Sequence, residues 1–189
     1  MGIRSFIAIP VPEAGAGAGE LLRVQAALEV GRPVAPENWH VTLAFLGRQT
    51  EPVLEELNER LEALTAPAFE MRIHGTDIFG GRHPRLIHAG VERSEAMVHL
   101  RGKVREAARA TGIDLARERF RPHVTLARFP KHLTMLETQR IAGVLEAHGD
   151  MDAGTVPVDH FTLYRSHLGP DGPDYEPLAD YPLGQPDAG

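Results

Sequence analysis

The sequence holds no cysteine, a single tryptophan and only three tyrosines in 189 residues. Without thiols there is no disulfide, no thiolate nucleophile and no zinc site built on cysteine. No stretch of 18 apolar residues occurs, so a membrane-spanning helix is not expected. The first residues lack a basic region followed by an apolar segment, so secretion is not expected either, and the cytoplasm is the expected compartment. Positive charge is in short supply: 20 Lys and Arg stand against 26 Asp and Glu, a net charge of −6. Broad binding to nucleic acid needs many Lys and Arg contacts with phosphates, so any such contact has to be local. What remains, 42% hydrophobic residues, is enough for one compact domain with a real core.

One stretch is written twice. His40-Val41-Thr42-Leu43-Ala44 returns as His123-Val124-Thr125-Leu126-Ala127, 83 residues on (123 − 40). At average residue usage, chance recurrence of a pentapeptide in a chain this long is on the order of one in a hundred, so duplication is the better explanation. β-Branched residues alternating with polar ones read as a half-buried strand, whose alternate side chains share a face. Val41, Leu43, Val124 and Leu126 then face a core. His40 with Thr42 and His123 with Thr125 project from the other face, with the alanine two residues on expected beside each threonine. For one copy alone, a solvated strand face is the ordinary reading; two copies argue for a cleft floor. An imidazole with a pKa near ~6.5 can give or take a proton at neutral pH, and a hydroxyl can donate to an anionic oxygen. This set suits phosphoryl chemistry.

Around the repeat, the chain alternates strands and amphipathic helices. Residues 3–10 read as a strand with Phe6, Ile7 and Ile9 toward the core. The run Ala14-Gly15-Ala16-Gly17-Ala18-Gly19 lacks the Lys-Ser/Thr of a phosphate loop and reads as a flexible lead-in. A helix follows from Glu20 to Val30 on Leu21, Val24 and Leu28, ended by Pro33 and Pro36. Thr50-Glu51-Pro52 opens a second helix with Leu54, Leu57, Leu61 and Leu64 as its apolar stripe. Strands are expected at 69–79 and 85–91, joined by Gly80-Gly81-Arg82-His83-Pro84. Further helices fall at 94–110, on Met97, Leu100 and Val104, and at 134–148. A strand is expected from Val156 to Ser166, then a turn and a short edge strand through Leu178. Each half thus reads strand, helix, strand, with an extra strand completing each sheet. The expected fold is α+β: two antiparallel-rich sheets in a pseudo-twofold, bilobal arrangement, helices outside and a central cleft in which the motif strands lie side by side. It forms one domain over 1–184, with halves at about 1–90 and 91–184, and a disordered tail over 185–189.

Eight further histidines, most of them expected on the surface or in loops, invite a metal. No HExxH pattern is present and neither motif has a nearby Asp or Glu, so no metal and no cofactor are expected. Arg128 lies five residues after His123, the wrong parity for that strand face unless a bulge turns it. Phe45 and Trp39 flank the first motif and could stack a base, with core packing the expected role of at least one.

Trp39 to Gly47 and Phe120 to Arg128 resemble the two signature motifs of the two-histidine (2H) phosphoesterases, nearest to the RNA 2′,3′-cyclic phosphodiesterases also called 2′-5′ RNA ligases. Arg4 to Ile9, Phe161 to Ser166 and Tyr175 to Leu178 extend the resemblance over nearly the whole chain. It implies a metal-independent hydrolase for RNA ending in a 2′,3′-cyclic phosphate, or a related cyclic nucleotide, working as a monomer. His40 would be the proton donor and His123 the proton acceptor. Thr42 and Thr125 would hold the non-bridging oxygens, Arg128 would contact phosphate, and Phe45 would bind substrate. The resemblance also implies a helix starting in the Gly-rich stretch, where glycine disfavours a first turn. A 2′-5′ ligase or a small cyclic-nucleotide phosphodiesterase would use the same four residues. A non-catalytic RNA-end-binding protein would not need both histidines ionisable.

Overall fold

A computed structural model describes residues 2–15, 17–170 and 172–184; the expected tail over 185–189 lies outside them. The chain runs β1 (Ile3–Pro10), α1 (Ala18–Ala27), β2 (Arg32–Pro33), β3 (His40–Gln49), α2 (Glu51–Glu62), β4 (Phe69–Phe79), β5 (Leu86–Val91), α3 (Glu95–Ala110), β6 (His123–Arg128), α4 (Met135–His148), β7 (Asp152–Val158), β8 (His160–Gly169) and β9 (Gly172–Pro182), with a short 3-10 turn at Pro36–Asn38. Two sheets form, in the orders β3-β1-β8-β9 and β2-β6-β5-β4-β7, with every neighbouring pair antiparallel. The α+β class with two antiparallel sheets is therefore as the sequence implies.

Sequence chemistry accounts for each element. β1 buries Phe6, Ile7, Ala8 and Ile9 in succession, as expected of a strand flanked on both edges and covered on both faces. α3 turns Met97, Leu100, Val104 and Ala108 inward, with the Ser94 hydroxyl accepting from the Met97 N–H at its start. At α4 the Thr134 and Glu137 side chains bond each other's backbone N–H groups, a reciprocal cap. α1 does start inside the Gly-rich run, at Ala18, but it ends at Ala27 rather than Val30. Gly17, at φ 83°, precedes its first turn where a Cβ would meet the Ala153 carbonyl oxygen at 2.7 Å, so glycine lets this helix start lie against β7.

Two expectations need correction. The strand expected over Val156 to Ser166 is two strands: β7 pairs with β4 in one sheet and β8 pairs with β1 in the other. The chain crosses between sheets at Asp159, where an apolar pattern on both sides hides the break. The closing edge strand is long, Gly172–Pro182, and its three prolines are tolerated because one side of it needs no partner. The motif strands do lie against each other, β3 meeting β6, although they belong to different sheets and do not pair.

The sheets also interleave along the sequence, since β4 and β5 join β6 while β8 and β9 return to β1. Each repeat is a strand, a helix and a motif strand: β1-α1-β3 and β5-α3-β6. The helices cross over, α1 packing on β6 and β7 and α3 packing on β3, so each unit lends its helix to the other sheet.

Candidate active site

His40, Thr42, His123 and Thr125 line one cleft of about 570 Å³, together with Phe45 and Arg128. All six site residues expected from the sequence thus meet in one place. Each motif strand presents its histidine and threonine half-exposed and buries the intervening Val41, Leu43, Val124 and Leu126, which is the alternation of a strand between core and cleft.

That alternation breaks at the same point in both copies. Across β1 and β3, Ala8 faces Thr42 but Ile7 faces Ala44, leaving Leu43 as an extra residue. Across β5 and β6, His88 faces Thr125 but Ile87 faces Ala127, leaving Leu126 extra. Each is a β-bulge, which reverses the facing of the residues beyond it. Ala44 and Ala127, expected in the cleft, are therefore buried, both at 1% exposure. Phe45 and Arg128, of the wrong parity in a regular strand, turn into the cleft instead. They occupy equivalent positions, 83 residues apart, opposite Phe6 and Leu86. Trp39 takes the other role foreseen for the aromatic pair and is buried in the core.

The two imidazoles are anchored identically. His40 Nδ1 lies 2.7 Å from the Asn38 carbonyl and His123 Nδ1 lies 2.7 Å from the Arg121 carbonyl. A carbonyl only accepts, so Nδ1 donates in both rings and Nε2 is the nitrogen through which a proton can be exchanged. Their surroundings differ. His40 is held among Phe6, Tyr164 and Tyr175, with ring centroids at 5.0, 6.4 and 5.2 Å. His123 meets Phe79 edge-on at 4.7 Å and His88 at 5.1 Å. Burial pushes the His40 pKa down to about 4; the Asn38 carbonyl opposes this, and the Arg128 and His123 charges add to it. Burial also lowers that of His123, against the Arg121 carbonyl and with the Arg128 and Arg121 cations. The Arg128 charge thus acts on both imidazoles.

Sequence reasoning missed the aromatic wall. Phe6 reads as plain core, and Tyr164 and Tyr175 are marked only by their place in stretches that resemble the family. It also missed His88, which is buried at 5% exposure while His74, His83, His99, His132 and His167 are exposed. Neither His88 ring nitrogen has a hydrogen-bond partner of good geometry among the described residues; burial, then the neighbouring His123, lowers its pKa to about 4, opposed by the adjacent Ala89 backbone and the Asp77 charge. Its counterpart in the other unit, facing Thr42, is Ala8. Among the described residues no three His, Asp or Glu side chains gather as a metal site, and no helix is long and apolar enough to cross a membrane.

Residues 14–170 match the family model described as the 2′-5′ RNA ligase superfamily. An RNA 2′,3′-cyclic phosphodiesterase of Thermus thermophilus is 34% identical over 197 residues, covering 96% of this chain and 90% of its own. One from Aeropyrum pernix is 31% identical over 149 residues, covering 78% of this chain and 83% of its own. Among solved structures, E. coli LigT complexed with 3′-AMP superposes with a TM-score of 0.79 at 25% identity, covering 98% of this chain and all of that one.

Proposed function

The chain belongs to the 2′-5′ RNA ligase superfamily, and from that premise we propose that it hydrolyses the terminal 2′,3′-cyclic phosphate of RNA to a 2′-phosphomonoester without a metal. The observation that carries this reading is the convergence of two His-Thr pairs on one cleft, each imidazole with Nδ1 tied to a carbonyl. Displacement at phosphorus needs a base on the side of the attacking oxygen and an acid on the side of the departing one. His123 Nε2 takes a proton from water as the water oxygen bonds to phosphorus. The bond from phosphorus to the ribose 3′-oxygen breaks, and His40 gives that oxygen a proton from Nε2. The product keeps its phosphate on the 2′-oxygen. Proton exchange with solvent then resets both rings.

Thr42 and Thr125 donate their hydroxyls to the two non-bridging oxygens, which gain charge in the transition state. Arg128 offers its guanidinium to the same phosphate, and Phe45, 61% exposed on the rim, gives a face on which a base can stack. With a pKa of about 4, His40 is neutral in the free protein at pH 7. The negative charge of the bound phosphate restores its affinity for the proton it must deliver. Acid function is thereby tied to an occupied site.

The test is to incubate the protein with an RNA ending in 2′,3′-cyclic phosphate, with and without excess EDTA, and to identify the product. A 2′-phosphate formed at the same rate in both is expected. Loss of turnover in EDTA that one divalent ion restores overturns the metal-free scheme, and a 3′-phosphate product overturns the assignment of the leaving oxygen.

A further inference from the structure

Beyond His123 the cleft narrows to a crevice of about 170 Å³, lined by Thr42, Phe45 and Phe79 among others, which shares Glu118, Arg119, Phe120 and Arg121 with an open groove of about 830 Å³. Arg93, Arg101, Arg119, Arg121, His74 and His88 line that groove. In a chain of net charge −6, four arginines on one groove against two acids, Asp77 and Glu118, are a strong local excess. The two acids are already engaged, Glu118 with Arg101 at 3.4 Å and Asp77 with Arg121 at 3.8 Å. Two of the guanidiniums are braced on rings, Arg101 over Phe120 at 4.3 Å and Arg121 over Phe79 at 4.9 Å, which holds them in place before any ligand arrives. Arg93 and Arg119 are exposed and make no ion pair among the described residues. They are the free cations of the groove.

The opposite side of the cleft has another character. The hollow that shares Arg128, Pro173 and Tyr175 with it sets two arginines, Arg32 and Arg128, among the apolar Pro33, Val34, Phe129 and Pro130, a mixed surface with half as many guanidiniums as the groove. We propose that the arginine groove beyond His123 binds the phosphodiester backbone of the RNA strand whose cyclic end occupies the cleft, making the protein selective for a polynucleotide over a cyclic mononucleotide. This deepens the proposed phosphodiesterase reading and rests on it. A single strand is the occupant that fits, because a row of spaced anions meets spaced guanidiniums, and the crevice beside His123 joins the groove to the cleft where the reacting phosphate would sit. Sequence alone hides the cluster, since Arg93 precedes α3 and Arg101 lies near its middle, while Arg119 and Arg121 come from the segment before β6.

The test compares the wild type with an Arg93→Ala/Arg119→Ala variant on a 2′,3′-cyclic mononucleotide and on a ten-nucleotide RNA ending in the same group. The variant is expected to raise KM for the RNA about tenfold at low salt and to leave kcat and all mononucleotide kinetics unchanged. The salt dependence of RNA binding should become shallower by about 1.4 in log–log slope, at ~0.7 for each of two lost single-strand phosphate contacts. Equal effects on both substrates, or none on the RNA, overturn the proposal. If the wild type turns over neither substrate, the activity reading fails. Fluorescence anisotropy with a labelled RNA then decides the groove by itself: weaker binding by the variant supports it, and unchanged binding overturns it.

Discussion

A hydroxyl aimed at a phosphate oxygen matters most when charge builds on that oxygen, so Thr42 and Thr125 should show themselves in turnover. Thr42→Ala and Thr125→Ala are each expected to lower kcat by about 10²–10³-fold, in line with ~2.7–4 kcal/mol for one well-placed donor. Wild-type kcat in both variants would put the hydroxyls outside the reaction. At this scale the sequence is informative because chemistry is carried by residue type and spacing: His40, Thr42, His123 and Thr125 are named by a repeat that pure chance rarely gives. The ring neighbours are not legible in the same way. Tyr164 and Tyr175 reach His40 from β8 and β9, more than a hundred residues away, and no local pattern records that approach. His88 looks like any other histidine of a half-buried strand until Phe79 closes over it at 4.2 Å.

Strands carry one signal the sequence shows well, their twofold alternation, and one it hides, the bulge. Reading the alternation straight through puts Ala44 and Ala127 in the cleft and turns Arg128 away from it; the extra residues Leu43 and Leu126 reverse both. The bulge thus decides which side chains join the histidines, and it makes a prediction a regular strand would not. Ala127→Asp introduces a carboxylate at a buried position without a partner, a change that costs several kcal/mol or drives the group neutral. The variant should melt far below the wild type and lose the near-ultraviolet signature of its packed core. A melting temperature within about 2 °C of wild type, with activity lost, would mean that Ala127 faces the cleft and that β6 is regular. Helices are more legible, since α2 and α3 need only an apolar stripe and a start signal, both present at Glu51 and Ser94. The change of sheet at Asp159 is not, because the neighbouring segments are equally apolar and only pairing partners far off in sequence separate them.

Taken whole, the molecule is built around two copies of a strand-helix-strand unit that exchange helices, and the proposed chemistry assigns the two copies different parts. Pairing of distant strands into two interleaved sheets follows from tertiary packing, so the sequence announces the duplication without giving the partition of strands. The molecule also has a pH signature. His40 and His88 have folded-state pKa values of about 4 against about 6.5 in an unfolded chain. Between these values the unfolded chain binds more protons, so stability is complete above about pH 6.5 and is lost as pH falls toward 4. Melting temperatures taken from pH 7.5 to 4.5 should decline, and His88→Leu should flatten part of the decline; a melting temperature that rises on acidification contradicts neutral imidazoles at His40 and His88. The proposed scheme divides two motifs alike in sequence into an acid and a base. Replacing the departing 3′-oxygen of the cyclic substrate by sulfur, which leaves without a proton, removes the need for the acid while water still needs its base. On that division His40→Ala recovers much of its lost rate on the sulfur substrate while His123→Ala stays impaired on both. Rescue of His123→Ala alone would contradict it.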